Sequence, residues 1–272
     1  MSKTLLLNDT SAYHNGCAKV IETFTFDDSI ETNSNLVVNY KNYSTVILNG
    51  EGTMHHTKTQ VRHNPIKFLK SLDDAQKAGC ETHLVNTVWQ EMTNEFDNVL
   101  KNCSVIEVRD VLSQQNLLEH HGIESIVKPD RSLFPDVPYK EYKSVDVYQG
   151  RWFFRQDDIK YPKLKKIDIF KQSWNDIVNK LRHARLLVTG RHHEAYAAIK
   201  AGCPFIVLPG NTHKNEGIYL NAGVEPINTL DKINDVLDGK YNEEFQKISE
   251  YYGIHSKQKV KEYYYPGGDC QV

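Results

Sequence analysis

The strongest constraint on this chain is a succession of short apolar runs that do not alternate with polar residues. TLLLND (4–9), NLVVNY (35–40), STVILNG (44–50), ETHLVNTVW (81–89), CSVIEVRD (103–110) and IESIVKPD (123–130) each end in polar or turn residues. A strand with one wet face alternates, whereas a strand covered on both faces need not, so these runs predict a parallel sheet between helices. Helix-like stretches separate them: 62–78, with Ile66, Leu69 and Leu72 on one face, and 111–121, with Val111, Leu112 and Leu118. Strand, helix, strand at this spacing predicts right-handed crossovers and a doubly wound sheet.

FPDVPYKEYK (134–143), with two prolines and no periodicity, reads as a linker. Alternation then resumes with VDVYQG (145–150), a helix over 168–184, RLLVTG (185–190), a helix over 191–201, PFIVLPG (204–210) and a helix over 213–222. The tail from Leu230 to about Tyr265 is mostly helical in pattern. The expected architecture is two Rossmann-like α/β domains with parallel sheets, residues 1–134 and 144–272, facing across a cleft. A length of 272 residues suffices for two modest domains.

Composition narrows the function. Hydrophobic residues at 39% and charged residues at 25% exclude a disordered or fibrous chain. A net charge of -2 weighs against a protein held to nucleic acid by global charge. No apolar run nears the roughly 20 residues of a membrane span. Met1-Ser2-Lys3 runs straight into a strand without a leader profile, so a cytoplasmic location is expected. The five cysteines are scattered and lack any CxxC, which reads as free thiols. The histidine pairs 55/56, 120/121 and 192/193 lack the i, i+4 spacing of helical zinc sites, so no metal is expected.

Open parallel sheets bind ligands beyond the carboxyl ends of their strands, where helix N-termini and free amides converge. The first such end is Asn8-Asp9-Thr10, followed by His14-Asn15-Gly16-Cys17; another is Asn49-Gly50-Glu51-Gly52, running on to His55-His56. Asp9, His14 and Glu51 are the candidate bases, with Glu51 first because flanking glycines let a ligand approach or take positive φ. Helix capping is the competing role for Glu51. Asn15, His55, Arg109 and Asp130 fall in the same N-terminal half. Asp110 reads as the N-cap of the next helix, and Arg109 as an ion-pair partner of Asp130 or a ligand clamp. The densest stretch is Thr189 to Tyr196: Gly190 ends a strand, Arg191 offers an anion fork at a helix start, His193 can move a proton, and Glu194 follows. Gly210, Asn211, Thr212, His213, Lys214 and Glu216 form a second polar strand end, with Lys214 for an anion and Glu216 for ribose hydroxyls. Neither GxGxxG nor a Walker sequence is present.

These residues carry a resemblance. Gly190-Arg191-His192-His193, the helix AYAAIKAG, then CPFIVLPGN and Lys214 resemble the C-terminal signature of the polysaccharide pyruvyl transferase family. NGEGTMHH (49–56), VRDVLS (108–113) and HGIESIVKPDRSL (121–133) resemble its N-terminal half in order and spacing, so that the likeness spans about 5–220. The resemblance implies a two-domain transferase of glycosyltransferase-B shape, with an acceptor-side N-terminal half and a donor-side C-terminal half. Arg191 and His193 fall where the family has an anion-binding arginine and an essential histidine, and Lys214 on a polar position after the next strand. His192 departs from the usual aliphatic residue, and an added arginine for a carboxylated donor would have to be Arg151 or Arg155.

The short second domain and the glutamates Glu194 and Glu216 favour sugar transfer from a nucleotide-sugar donor to a hydroxyl of a saccharide or other polymer. The alternative is pyruvyl transfer from phosphoenolpyruvate, forming a ketal on a saccharide. A minority reading is a glycosyltransferase acting on DNA bases. It draws on Lys160, Lys163, Lys165, Lys166 and Lys171 beside Arg151, Trp152, Phe153, Phe154 and Arg155. A non-catalytic saccharide- or nucleotide-binding module is the remaining class. No tightly bound cofactor is expected, only a loosely held magnesium ion on a donor diphosphate.

Overall fold

A computed structural model describes residues 3–31, 38–57, 65–143, 145–151 and 164–253. Its strands are β1 (Thr4–Asp9), β2 (Asp28–Glu31), β3 (Thr45–Glu51), β4 (Glu81–Thr87), β5 (Val105–Val108), β6 (Ile126–Val127), β7 (Val145–Gln149), β8 (Lys165–Lys166), β9 (Ala184–Thr189) and β10 (Phe205–Val207). Its helices are α1 (Asn15–Ile21), α2 (Pro65–Lys77), α3 (Asp97–Lys101), α4 (Val111–His121), α5 (Trp174–Leu181), α6 (His192–Ala201), α7 (Lys214–Leu220), α8 (Ile233–Leu237) and α9 (Asn242–Tyr251). The chain divides into two compact units: Met1–Ala12 with Val20–Arg131, and Tyr13–Lys19 with Ser132–Val272.

The first unit is a six-stranded sheet in the order β2-β1-β3-β4-β5-β6, parallel throughout. The second is a four-stranded parallel sheet in the order β10-β9-β7-β8. In each, the chain steps outward one strand and then returns past its starting strand. The switch points therefore lie between β1 and β3 in the first unit, and between β7 and β9 in the second. Crevices at such points are where doubly wound sheets bind ligands.

The continuous apolar runs explain the central strands: Leu5, Leu6 and Leu7, Val46 and Leu48, and Leu186, Leu187 and Val188 are all buried. Leu69, Leu72 and Trp89 fill the core of the first unit, and Trp174, Tyr196, Phe205 and Tyr219 that of the second. α4 starts where Asp110 accepts the Ser113 N–H at 2.8 Å, the expected N-cap, and stops at Gly122 with φ 63°. α5 begins at Trp174, later than the expected 168. The Asp168 carboxylate accepts the Phe170 N–H at 3.0 Å and holds a turn there, and Ser173 caps the helix instead.

Other differences are local. Residues 35–37 lie outside the described residues, 38–39 are not strand, and Tyr40–Asn42 is a 3₁₀ turn. β2 is an exposed edge strand of sequence DSIE, with no apolar run to announce it. Lys165 and Lys166 form an edge strand, whereas Trp152, Phe153, Phe154, Arg155, Lys160 and Lys163 lie outside the described residues. The tail contains α8 and α9, and its expected helix beyond residue 253 also lies outside them. Among the described residues no helix is long and apolar enough to cross a membrane.

Candidate functional site

At the switch point of the first unit, the ends of β1, β3 and β4 are joined by asparagines. Asn8 Nδ2 donates to the Asn49 carbonyl at 2.6 Å, Asn49 Nδ2 returns a bond to the Asn8 carbonyl at 3.3 Å, and Asn86 Nδ2 donates to Asn49 Oδ1 at 3.0 Å. Asn8, Glu51 and Asn86 have left-handed backbones, with φ of 62°, 47° and 53°. Asparagine tolerates that region, but glutamate there costs on the order of 1 kcal/mol, so its surroundings hold it. The Glu51 carboxylate accepts from Arg109 at 3.3 Å and from the Thr10 hydroxyl at 3.4 Å, and Arg109 also bonds Asp130. All three ionic residues are buried. Gly50 does not open space for a ligand: a Cβ there would lie 2.2 Å from Thr87 Oγ1, so the glycine lets β3 and β4 meet.

This geometry changes the expected roles. Glu51 is the inner half of an ion pair rather than an open base, and Arg109 is the structural partner of Asp130. Burial alone would raise the Asp9 pKa, but hydrogen bonds from Ser11 and Ser29 outweigh it and hold the carboxyl below the ordinary range. His55 is buried with its Nδ1 2.7 Å from His56 Nδ1. Arg109→Ala would leave two buried carboxylates uncompensated and is expected to cost about 3–5 kcal/mol. Urea unfolding measures this, and a loss below about 1 kcal/mol would show that the pair does not hold the switch point.

In the second unit, Asn15 Nδ2 donates to the carbonyls of Ile169 at 3.0 Å and Gln172 at 2.8 Å, anchoring residues 13–19 there. His14 and Asn15, expected in the N-terminal domain, therefore pack within the second unit, with His14 beside His193. The His14 ring meets the His193 ring edge-on at 5.0 Å and the Phe170 ring at 5.2 Å. Cys17 Sγ lies 3.6 Å from His14 Nε2, and one ligand atom each from His14, Cys17 and His193 fall within 4.8 Å of one another.

The ends of β7 and β9 carry two arginines. Arg151 follows β7 and Arg191 follows β9 through Gly190, whose N–H donates to the Arg151 carbonyl at 3.0 Å. Both guanidinium groups stand over the Phe170 ring, at 5.3 Å for Arg151 and 5.1 Å for Arg191. Arg151 also pairs with Asp168 at 2.7 Å. Arg191 occupies the N-cap position of α6 without a side-chain cap bond, which leaves that helix start suited to an anion. On the neighbouring loop, after Gly210, Lys214 Nζ donates to Asn211 Oδ1 at 2.9 Å and the Lys214 N–H to Thr212 Oγ1 at 3.5 Å. Asn215 Nδ2 donates to the Gly190 and Leu208 carbonyls and joins this loop to the end of β9. His213 precedes α7 and Glu216 sits in its first turn. His192 packs its ring on Tyr196 at 4.9 Å, a core role in place of an aliphatic side chain.

Glu194, expected on the donor side, is turned into the protein. It is fully buried, accepts from the Thr189 hydroxyl at 2.5 Å and the Ile169 N–H at 3.4 Å, and fills the space above Gly150. A Cβ on Gly150 would lie 1.9 Å from Glu194 Oε2. Burial pushes the Glu194 carboxyl up to about 7, against the opposing pull of the Thr189 and Ile169 bonds and the Arg191 charge. An acid whose pKa rises on folding adds stability fully present below its unfolded value and lost as pH rises through the folded one. The unfolding free energy is thus expected to fall by up to about 3 kcal/mol between pH 5 and 8 from this group. Urea melts of wild type and Glu194→Gln in metal-free buffer test this, since the variant should lose that part of the slope. Equal slopes would refute the assignment.

Phe170, the ring shared by the two arginines, had no sequence signal, since IDIFKQS reads as the start of a helix. Cys17 read only as a free thiol. The sequence did not show His14 and His193 to be neighbours, because 13–19 packs with residues far along the chain.

A family model for polysaccharide pyruvyl transferase matches residues 14–212. Comparison with curated proteins gave no match. Among solved structures, an uncharacterised protein from Klebsiella pneumoniae matches at TM-score 0.54 and 14% identity, over 80% of this chain and 88% of that one. A Listeria monocytogenes protein described as a UDP-N-acetylglucosamine 2-epimerase matches at TM-score 0.56 and 10% identity, over 92% and 91%. The UDP-GlcNAc 2-epimerase of Neisseria meningitidis, solved with UDP-GlcNAc, matches at TM-score 0.52 and 12% identity, over 94% and 98%. At these identities the likeness shows the fold alone: a glycosyltransferase-B-like α/β architecture with parallel sheets.

Proposed function

The chain belongs to the polysaccharide pyruvyl transferase family, and from that membership we propose that it transfers pyruvate from phosphoenolpyruvate to two hydroxyls of a saccharide. The product is a cyclic ketal, with inorganic phosphate released. The observation that carries this reading is the pair Arg151 and Arg191 over one phenylalanine ring. Phosphoenolpyruvate bears a carboxylate and a phosphate on one three-carbon frame, and a guanidinium fork matches either anion. Of the two glutamates that favour sugar transfer, Glu194 is buried and braced between Thr189 and Ile169, which removes one of the two supports for a nucleotide-sugar donor.

The chemistry needs a proton on C3 of the enol, which makes C2 electrophilic. One acceptor hydroxyl adds to C2 and gives up its proton; a second hydroxyl replaces the phosphate, which leaves with the second proton. His193 is the proton donor and His14 the group that takes the acceptor proton, since two imidazoles in ring contact can hold opposite roles. Asp9 and Glu51 suit the base role less, one held at low pKa and the other committed to Arg109.

The test supplies phosphoenolpyruvate or a panel of nucleotide-sugars with saccharide acceptors. Phosphate release that depends on the acceptor, with a new methyl singlet from the ketal by proton NMR, is the expected result. Nucleoside diphosphate release with no reaction of phosphoenolpyruvate would overturn it.

A further inference from the structure

We propose that His14, Cys17 and His193 form a binding site for a zinc-class divalent ion, and that its occupancy switches the enzyme off. The ligand set comes from two places that the sequence keeps far apart: the start of α1, where His14 immediately precedes the helix and Cys17 lies in its first turn, and the second residue of α6. Gly16 makes the approach feasible, because a Cβ there would lie 2.7 Å from His193 Cβ. The three donor atoms lie within 4.8 Å of one another. A tetrahedral zinc with ordinary bond lengths separates a sulfur and a nitrogen ligand by about 3.6 Å. The Cys17 Sγ to His14 Nε2 distance is already 3.6 Å, so only His193 must swing inward.

The donors select the ion. One thiolate and two imidazoles suit zinc, cobalt or copper and are poor ligands for magnesium or calcium, which take oxygen. Cys17 and His193 are largely buried, while His14 is half-buried and gives the ion a way in. Three protein ligands rather than four leave one coordination position open, as in exchangeable rather than closed structural sites. The proton balance is simple. Without metal, the Cys17 N–H donates to His14 Nδ1 at 3.2 Å, which leaves the proton on Nε2. On uptake that proton moves to Nδ1, the backbone bond is released, and the thiol gives its own proton to water. One proton leaves per ion.

The binding claim stands on geometry alone; only its consequence for turnover rests on the pyruvyl transfer reading. An ion on the two imidazoles stops both roles: His193 has no proton to give, and His14, with Nε2 on the ion and the proton moved to Nδ1, has no lone pair left to take one.

Cobalt is the probe for binding. Titrated into the reduced full-length chain, Co²⁺ should give the visible bands of a tetrahedral site and a near-ultraviolet thiolate-to-cobalt band, both displaced by Zn²⁺. Cys17→Ser should lose the thiolate band and weaken affinity at least about tenfold, and His14→Ala should also weaken it by at least about that factor. Cys103→Ser should change neither. A cobalt spectrum with no thiolate band, or wild-type affinity in Cys17→Ser, overturns the site. For the switch, Zn²⁺ should suppress phosphoenolpyruvate-dependent phosphate release in wild type and a chelator should restore it, while Cys17→Ser, compared with its own metal-free rate, should need at least about tenfold more Zn²⁺ for the same suppression. A cobalt site with full turnover when loaded would keep the metal proposal and remove the two histidines from the reaction.

Discussion

Replacing His193 by alanine is expected to lower turnover with phosphoenolpyruvate by about 10²–10⁴-fold, with donor affinity nearly unchanged. The reasoning is one of role rather than charge. Arg151 and Arg191 remain over Phe170 and keep the anion site, while protonation of C3 loses its donor. His193 also lies against Gly16, so the alanine variant removes packing as well as chemistry. His193→Gln keeps most of the volume and separates the two: a folded glutamine variant should be as slow as the alanine one. Turnover is read by phosphate release and donor affinity by thermal shift with phosphoenolpyruvate. Turnover within about threefold of wild type in both variants would remove His193 as the proton donor.

The parallel sheets were legible because burial on both faces leaves a plain trace. LLLN, VILN and HLVN each mark a strand, and each brings an asparagine to the end of β1, β3 or β4. That repeated ending could have announced the asparagine ladder, but its geometry could not be read, since hydrogen bonds between residues some 40 apart leave no local pattern. β2 and β8 escaped for the opposite reason. Both are short, exposed edge strands whose polar residues suit water and carry no periodic signal.

At the site, residue types were legible and partners were not. Arg191 and His193 stood out at a strand-to-helix junction, where helix starts favour anions. Glu194, one residue on, looked equally available and is instead the buried brace between Thr189 and Ile169. Glu51 looked open between its glycines, yet Gly50 is filled by Thr87 and Glu51 by Arg109. A carboxylate near a glycine reads the same whether the empty space faces a ligand or a neighbouring strand.

Arg191→Ala is expected to weaken phosphoenolpyruvate binding by about 10–100-fold, the loss of a charge-assisted pair. Arg151→Ala should cost about tenfold, less because its guanidinium is already shared with Asp168 and is nearly half exposed. The two losses should differ in kind. Arg191 sits at the start of α6, where the helix dipole adds to its charge and favours the more highly charged phosphate. Arg151, at the end of β7, is then left for the carboxylate. Phosphate and pyruvate, each titrated alone, divide the donor into its two anions. Arg191→Ala should lose phosphate affinity and keep pyruvate, and Arg151→Ala should do the reverse. Arg191→Lys should recover only part of the loss, since an ammonium offers a point charge where the fork makes two parallel bonds. If both alanine variants weaken phosphate alone and pyruvate binds neither arginine, the pair is a diphosphate clamp, and a nucleotide donor replaces phosphoenolpyruvate.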